Sequence, residues 1–342
     1  MIYWVHEGRD CSAIKRTVIV LSHLQEDEGD EKDFAILQKV SQGYTVMNSS
    51  AKIGVVTVTY NSGRVIDQFL NSLSSQTYKN FLVYAVDSGS QDNTIELLEA
   101  WADKRLRVIP NAANIGIAEG DNQGTRAALA DGCDSVLLLN NDVEFEPDTF
   151  ALLVDELNAF DCHLLSPKIL YDDRVRIWSA GGTFNVLKGY FGSPAGQGER
   201  DRGQYDSPVQ IQYAPACCLL VRRVVFDEIG MMDAKFFVYH EDSDFLFRAW
   251  KAGLTMFYTP RARIFHKASA LTGGVASPFS VRYGTRGHVY FMLKNLGAIR
   301  CIFYLPALQL RMLIKMLCRS ITWNEFVIRQ RAFIEGIAVW MS

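Results

Sequence analysis

The sequence predicts an α/β protein with a mostly parallel central sheet flanked by helices. Three observations indicate this class. Short apolar runs alternate with helical patterns along residues 53–145. These runs are nearly continuous, which is typical of strands covered on both faces. Each of the four runs ends in polar or glycine residues, so one ligand cleft is expected where the carboxyl ends of the strands meet.

The first two strands are predicted from β-branched and apolar runs. Residues 53–60 (IGVVTVTY) end at Asn61 and are followed by a helical apolar pattern over residues 65–73. The second strand, over residues 81–86, ends in Asp87. An Asp before Ser and Gly commonly closes a turn through its side chain, which is the structural alternative to ligand binding at this position.

The next unit is shorter and contains small residues. A helix is predicted over residues 94–103, with Asp or Asn as its cap, and a third strand over residues 106–109. A loop containing Asn114 and Gly116 leads to a small-residue helix over residues 118–130. Glycines at such a helix start can serve ligand approach or only close packing, and both interpretations remain open.

The fourth strand ends in the polar stretch on which the predicted site is centred. Residues 136–139 are apolar, and Asn140, Asn141 and Asp142 follow at the carboxyl end. Asp142 and Glu144 alternate with apolar residues, so both carboxylates can face one way and bind a hard divalent cation, which prefers oxygen ligands. The alternative is a solvated acidic turn before a helix.

The second half, from about residue 164, is less regular. A glycine- and charge-rich loop spans residues 192–203, and long loops are usually functional or mobile. A further buried strand is predicted over residues 216–221.

Three carboxylates, Glu241, Asp242 and Asp244, crowd the start of a helical pattern, where the helix dipole favours anions. Asp244 is expected to cap the helix that begins near Phe245, and Asp242 could do the same. Three acids in four positions repel one another unless a cation or a proton transfer uses them.

Composition, charge and missing motifs exclude several classes of protein. The 342 residues are 49% hydrophobic and 21% charged, which fits one large domain with appendages or two domains. A net charge of −3 gives no overall attraction for nucleic acid, so no nucleic-acid partner is predicted. The absence of GxGxxG and GxxxxGK[ST] argues against nicotinamide enzymes and ATPases. Seven cysteines without CxxC or zinc spacing, no signal-peptide pattern and no apolar stretch of about 18 residues predict a cytoplasmic protein.

The ordered motifs resemble those of the inverting family 2 glycosyltransferases of GT-A fold, particularly the bacterial rhamnosyltransferase-like branch. The markers are VVTVTYNSG, VDSGSQDNT, NIGIAEGDNQG, LLLNNDVEFEPD, FFVYHEDSDFLFRAWKAG and ARIFHKASA, within residues 53–295. The resemblance implies metal-dependent transfer, with Mg²⁺ or Mn²⁺, from a nucleoside diphosphate sugar to a glycan or lipid-linked saccharide acceptor in cell-surface polysaccharide synthesis. dTDP-rhamnose is the expected donor and a UDP-sugar the second choice.

The resemblance also implies roles for single residues. Asp242 would be the general base, with Glu241 and Arg286 on the acceptor side. Asp142 and His266 would bind the metal, His266 being otherwise a buried structural histidine. The residues expected to bind the donor are Thr59, Asn61, Asp87, Asn114, Gly116, Asn140 and Asn141, with Asp87 on the base.

This sequence departs from the family pattern at three points. Asn140 stands where the family has the first Asp of its DxD motif, residues 214–218 read APACC in place of a small-glycine segment, and Arg286 is followed by Gly287 rather than Asn. The rival functions are a sugar-nucleotide pyrophosphorylase and a noncatalytic sugar-nucleotide or glycan-binding module.

The domain prediction has three parts. Residues 1–50 are an N-terminal appendage, of which 1–46 are expected to be dispensable for donor binding. Residues 51–295 are the GT-A domain, comprising a nucleotide half (51–145) and an acceptor half (146–295). Residues 296–342 form a C-terminal helical segment.

An amphipathic helix is predicted over residues 298–319 of that segment. Its cations include Arg311, Lys315 and Arg319, which would share one helical face, and it contains no acid. This pattern predicts an interfacial helix on the anionic inner face of the cell membrane. The alternative is a helix that packs on the catalytic domain.

Overall fold

The computed structural model describes residues 51–267 and 276–342, and the predicted appendage lies outside them. The strands are β1 (Ile53–Thr59), β2 (Phe81–Asp87), β3 (Leu106–Pro110), β4 (Ser135–Leu139), β5 (Val143–Phe145), β6 (Leu164–Tyr171), β7 (Ile177–Ser179), β8 (Gly182–Asn185), β9 (Phe191–Pro194), β10 (Val209–Gln210), β11 (Cys218–Arg222) and β12 (Met256–His266). The helices are α1 (Ile66–Ser75), α2 (Thr94–Ala100), α3 (Gly116–Ala130), α4 (Thr149–Ala159), α5 (Arg223–Ile229), α6 (Glu241–Lys251), α7 (Pro278–Asn295), α8 (Ala298–Leu317) and α9 (Trp323–Met341). Strands and helices alternate through the first half, as the sequence predicts.

The central sheet confirms the α/β prediction. Its strand order is β10–β12–β6–β11–β4–β1–β2–β3, with β5 paired to β12 and β7 to β6. Strands β3, β2, β1 and β4 run parallel, and β11 is antiparallel to β4. The register sets Thr59 beside Asp87, and the carboxyl end of β4 lies on the other side of β1. Four predicted polar strand ends therefore lie along one edge.

Helix α3 packs closely on β1 because its facing residues are glycines. A Cβ on Gly120 would lie 2.6 Å from a methyl carbon of Val58, and one on Gly124 would lie 2.4 Å from a methyl carbon of Val56. Close packing is therefore the role the structure gives to Gly120.

The loop after β9 is fixed by an ion-pair cluster. Lys168 of β6 has a fully buried side chain, and its ammonium donates to Asp201 at 3.0 Å and also to Asp206. Tyr258 donates to the backbone carbonyl of Tyr205 at 2.9 Å, which fixes the same segment to β12. The glycine- and charge-rich loop is thus attached to the sheet by buried groups.

The C-terminal helices pack against the catalytic core on one face and expose apolar residues on the other. Leu305 and Leu308 of α8 and Phe333 of α9 contact the main core cluster. On the outer face of α8, Ile302 is 67% exposed and Phe303 is 72% exposed. Among the described residues, no helix combines the length and the hydropathy that crossing a bilayer requires.

The end of α8 corrects one expectation. The helix ends at Leu317, and Arg319 lies beyond it with a φ of 56°. Arg319 therefore does not share a helical face with Arg311 and Lys315, because the backbone turns out of the helix before it. The other two cations are on α8 as predicted.

Candidate active site

The predicted metal ligands are brought together by strand pairing. β5 runs antiparallel to the end of β12, with His266 opposite Val143, and the Lys267 amide donates to the Asp142 carbonyl at 3.0 Å. This register sets Nε2 of His266 3.2 Å from Oδ1 of Asp142, and Trp178 packs edge-on against the imidazole. Two residues far apart in the sequence thus form one buried pair.

The polar atoms of this pair fit a cation. Although Oδ1 of Asp142 lies near the imidazole, it is buried and has no hydrogen-bond partner, and the same holds for Nδ1 of His266. Buried polar atoms rarely remain unpaired without a functional reason. The described residues contain no group of three or more His, Cys, Asp or Glu side chains placed to hold a metal. A cation bound by Asp142 and His266 would therefore take further ligands from a diphosphate and water.

Glu144 does not join Asp142. Its carboxylate pairs with Arg174 at 3.0 Å and with Lys267 at 3.2 Å. The expectation that Asp142 and Glu144 face one cation together is wrong, because these two basic side chains already neutralise Glu144. Asp142 is the carboxylate of this stretch that keeps a free buried oxygen.

Asp87 is fully buried at the end of β2. Its carboxylate accepts hydrogen bonds from the Thr59 hydroxyl at 2.9 Å and from the Ser90 amide at 2.9 Å. Asp87 therefore closes the turn and fixes the neighbouring strand end, which is the structural role foreseen for an Asp in this setting. Its proposed contact with a nucleotide base would be additional.

Asn61 and Asn114 organise the loops beside Asp87. The Asn61 side chain accepts from the Gln91 amide at 2.8 Å, and Asn114 accepts from the Gly116 amide at 2.9 Å. Gly116 has a φ of 79°, and an added Cβ would lie 2.5 Å from the Phe237 carbonyl oxygen. That carbonyl accepts from the Ile117 amide at 2.7 Å, so the start of α3 binds protein backbone.

The two asparagines after β4 differ in burial. Asn141 is buried, donates to the Val58 carbonyl at 2.6 Å and leaves its Oδ1 without a partner. Asn140 is partly exposed, and its backbone N–H donates to the Cys217 backbone carbonyl at 3.0 Å. Asn141 thus fixes the end of β4 against β1, while Asn140 faces more accessible space.

Glu241 and Asp242 begin α6 directly after His240, which has a φ of 72°. Burial raises the pKa of both carboxyl groups, and the charge of Asp242 raises that of Glu241 further. Asp242 accepts hydrogen bonds from the Ser243 amide at 2.6 Å and from the Tyr213 hydroxyl at 3.4 Å, which favour its ionised form. Glu241 therefore keeps the proton of the pair, and the partly exposed Asp242 is the carboxylate available to a substrate.

Asp121 is a site residue that the sequence did not suggest. It lies on α3, is 8% exposed, and has its pKa raised to about 8 by burial and by the charge of Asp242. It occurs on a buried helical face among Gly120, Gly124 and other small residues. An acid on such a face is the sequence signal that could have identified it.

Cys217 lies close to both Asp142 and Asp242. Burial raises the pKa of its thiol well above the usual range, and the charges of Asp142 and Asp242 raise it further. Both carboxylates therefore act on one buried side chain in the segment 214–218. The candidate base and the candidate metal ligand thus both lie close to that segment.

Asp244 and Arg286 make structural contacts that differ from their predicted roles. Asp244 does not cap α6; it is fully buried and pairs with Arg248 at 2.9 Å and Lys294 at 3.0 Å. The expectation of a cap was wrong because α6 begins at Glu241, four residues before the expected start at Phe245. Arg286 donates to the backbone carbonyls of Phe236 and Lys235, at 2.9 and 2.7 Å, and so positions the segment that precedes α6.

Sequence comparison identifies related proteins. The profile described as glycosyl transferase family 2 matches residues 54–230. The N-acetylglucosaminyl-diphospho-decaprenol L-rhamnosyltransferase of Mycobacterium tuberculosis is 30% identical over 238 residues, which are 64% of this chain and 77% of that protein. The low-salt glycan biosynthesis hexosyltransferase Agl10 of Haloferax volcanii is 24% identical over 206 residues, 60% of this chain and 63% of that one.

Structural comparison agrees with the sequence match. GalNAc-T7, crystallised with UDP, GalNAc and Mn²⁺, aligns with a TM-score of 0.56 and 16% identity over 70% of this chain and 48% of that chain. At this identity the likeness establishes the fold, which is the predicted GT-A fold. The sequence matches support glycosyltransferase activity over the two rival interpretations, a sugar-nucleotide pyrophosphorylase and a noncatalytic module. The profile match, the rhamnosyltransferase similarity and the fold together establish that this chain belongs to glycosyl transferase family 2.

Proposed function

We propose that this glycosyltransferase is a metal-dependent, inverting enzyme that moves a sugar from a nucleoside diphosphate sugar to a glycan or lipid-linked saccharide acceptor in cell-surface polysaccharide synthesis. dTDP-rhamnose is the first donor and a UDP-sugar the second. The observation that carries the proposal is that two chemically different groups lie close to the buried Cys217. Asp142 with His266 is one group, the donor end, and Asp242 is the other, the acceptor end.

The donor end uses buried groups that leave polar atoms available. Asp142 and His266 are the residues that would hold Mg²⁺ or Mn²⁺, and the buried Oδ1 of Asp142 has no hydrogen-bond partner of its own. When bound, the cation would supply electrostatic stabilisation for the charge that develops on the departing diphosphate. Asn141 and Thr59 keep the adjoining strand ends in place around the donor.

The acceptor end supplies a base. Asp242 would accept the proton of the acceptor hydroxyl as its oxygen forms a bond to the sugar carbon and the bond from that carbon to the diphosphate breaks. Attack from the face opposite the leaving group inverts the configuration of the sugar carbon in one displacement. Tyr213 and the Ser243 amide hold the carboxylate in position throughout.

A peripheral membrane location is part of the proposal. The exposed apolar residues of α8 and the basic residues on the same helix suit the interface of an anionic leaflet, where a lipid-linked acceptor would be found. The enzyme would act on the cytoplasmic face of the cell membrane.

A panel of nucleotide sugars tests the proposal. Purified protein is incubated with dTDP-rhamnose, UDP-sugars and GDP-sugars, with Mn²⁺, with Mg²⁺ and with EDTA, and release of nucleoside diphosphate is measured. We expect slow hydrolysis of one donor class that requires metal and increases when a saccharide acceptor is added. Absence of hydrolysis and transfer for every donor would contradict the proposal.

A further inference from the structure

A cavity lies outside the donor end, between α7, α8 and α9. Its volume is about 430 Å³, which is within the range of small-ligand sites, roughly 300–1,000 Å³. Four of its lining residues are basic: Lys188, Arg311, Lys315 and Arg329. The proposed donor and base residues do not supply this charge, so the cavity has an electrostatic character of its own.

Three of the four cations of this basic cavity have no carboxylate in an ion pair with them among the described residues. They are Lys188, Arg311 and Lys315, whereas Arg329 is held by Glu325 at 2.7 Å. Three cations thus face a shared space with their charge available. Such an arrangement favours an anionic ligand.

The basic side chains Arg311, Lys315 and Arg329 lie close together around the cavity. Burial lowers the pKa of Lys315, the charges of Arg311 and Arg329 lower it further, and the charge of Glu325 raises it. Burial also lowers the pKa of His240 to about 3 and that of His288 to about 4, so both imidazoles are neutral near pH 7. The charge of the cavity therefore comes from lysine and arginine and not from histidine.

The position of the cavity relates it to the acceptor. His240 lines it, and Asp242 follows two residues later at the start of α6. On the outer surface of α8, Leu310 is 57% exposed and Ile314 is 49% exposed, each beside a cavity cation in the sequence. One helix thus offers cations to the cavity and apolar side chains to the exterior, which matches a ligand with a charged head and a long hydrocarbon chain.

We propose that this basic cavity binds the diphosphate of a lipid-linked saccharide acceptor, with Arg311 and Lys315 as its charged contacts, and so presents the acceptor sugar to Asp242. The proposal rests on the proposed function and specifies the acceptor class. Arginine and lysine donate charge-assisted hydrogen bonds to phosphate oxygens, and the exposed apolar residues of α8 would accompany the hydrocarbon chain into the bilayer interface.

Binding of geranyl diphosphate to the full-length protein, without donor or metal, tests the proposal by isothermal titration calorimetry. The test variant is Arg311→Gln/Lys315→Gln. The control is Arg300→Gln/Arg319→Gln, which removes the same charge from exposed positions of the same segment outside the cavity. We expect the test variant to weaken binding at least about tenfold and the control to change it less than about twofold.

Three further ligands separate the sources of the signal. Geraniol should not bind, inorganic pyrophosphate should bind more weakly than geranyl diphosphate, and the affinity for dTDP or UDP with Mn²⁺ should be equal in the test variant and the wild type. Equal weakening by both double variants, or no weakening in the test variant, would overturn the proposal. So would pyrophosphate binding as tight as that of geranyl diphosphate, which would indicate a free-anion site. A failure of the proposed function would look different: no nucleotide sugar would be turned over, while geranyl diphosphate would still require Arg311 and Lys315.

Discussion

At the scale of single residues, Asp242 is the most direct test of mechanism. Asp242→Asn keeps the shape of the side chain and can still accept from the Ser243 amide, but its amide cannot take a proton from the acceptor. We expect kcat for sugar transfer to fall at least about 100-fold, with KM values little changed, because a general base typically contributes about 10²–10⁴ in rate. Steady-state kinetics with the donor identified by the panel measure this.

Glu241→Gln is the matched control for that substitution. Glu241 is already the protonated member of the pair, so a neutral amide alters the charge of the site less, and a milder loss of kcat is expected. An Asp242→Asn enzyme that retained a third or more of the wild-type kcat would eliminate Asp242 as the base.

Asp142 is expected to control the use of metal. In Asp142→Ala, binding of the nucleotide sugar should weaken in Mn²⁺ or Mg²⁺ but remain as in the wild type in EDTA, because the cation would bridge the carboxylate and the diphosphate. Calorimetric titration of both proteins under both conditions gives the comparison. If metal strengthens binding equally in both proteins, Asp142 is not a ligand.

Asp121 is expected to make stability depend on pH. Its pKa is raised to about 8, whereas an unfolded Asp has a pKa of about 3.9. Between these values the native protein holds a proton that the unfolded chain has released, so the free energy of unfolding falls as pH rises from about 4 to about 8. Asp121→Asn cannot ionise and should reduce this fall by up to about 1.4 kcal/mol per pH unit.

Urea unfolding of the wild type and Asp121→Asn from pH 5 to 8 measures the effect. Other titrating groups are common to the two proteins and cancel in the difference. The variant should gain stability relative to the wild type at each higher pH. Parallel pH profiles would show that Asp121 is ionised throughout in the native protein.

At the scale of elements, the sequence predicted the parallel part of the sheet because local patterns determine it. The runs that form β1, β2 and β4 are apolar and end at polar residues. The carboxylates Glu241 and Asp242 at the start of α6 could also be recognised from the sequence. The contact between Asp142 and His266 depends on the pairing of β5 with β12, which no local pattern encodes. The burial of Asp121 depends on which face of α3 packs against the rest of the protein, and tertiary packing decides that.

Lys168 provides a prediction for the loop between β9 and β10. Lys168→Met keeps the apolar bulk on β6 but leaves Asp201 and Asp206 without their shared cation. Because both acids are partly exposed and can be hydrated, we expect a loss of about 2 kcal/mol in the free energy of unfolding, less than for a fully buried pair. Limited proteolysis should also cut within residues 195–208 more readily.

A surface ion pair is the control for Lys168. Arg176→Gln removes the exposed pair with Asp173 and should leave the urea midpoint almost unchanged. If Lys168→Met behaves like Arg176→Gln, the buried ammonium does not hold the loop.

At the scale of the whole molecule, the exposed face of α8 predicts how the protein meets a bilayer. Ile302, Phe303 and Leu310 together present a hydrophobic surface outside the core. The wild type should float with vesicles that contain phosphatidylglycerol, and Ile302→Ser/Phe303→Ser/Leu310→Ser should remain largely unbound. Density-gradient flotation measures the bound fraction.

A second triple variant separates membrane insertion from a general change in surface polarity. Three exposed valines lie on other elements and serve as the control positions: Val175, Val209 and Val224. Their replacement by Ser should leave flotation unchanged. Equal flotation of wild type and α8 variant, or failure of the wild type to float, would reject membrane seating by this helix.

The pairing of β5 with β12 also has a consequence for how the enzyme is made. Asp142 is synthesised with the nucleotide half, but its partner His266 is added only at the end of the last strand of the sheet. The ribosome therefore releases most of the nucleotide half before the proposed cation site can form. Because such long-range pairing is slow compared with local folding, we expect the proposed cation site to form only as one of the final folding steps.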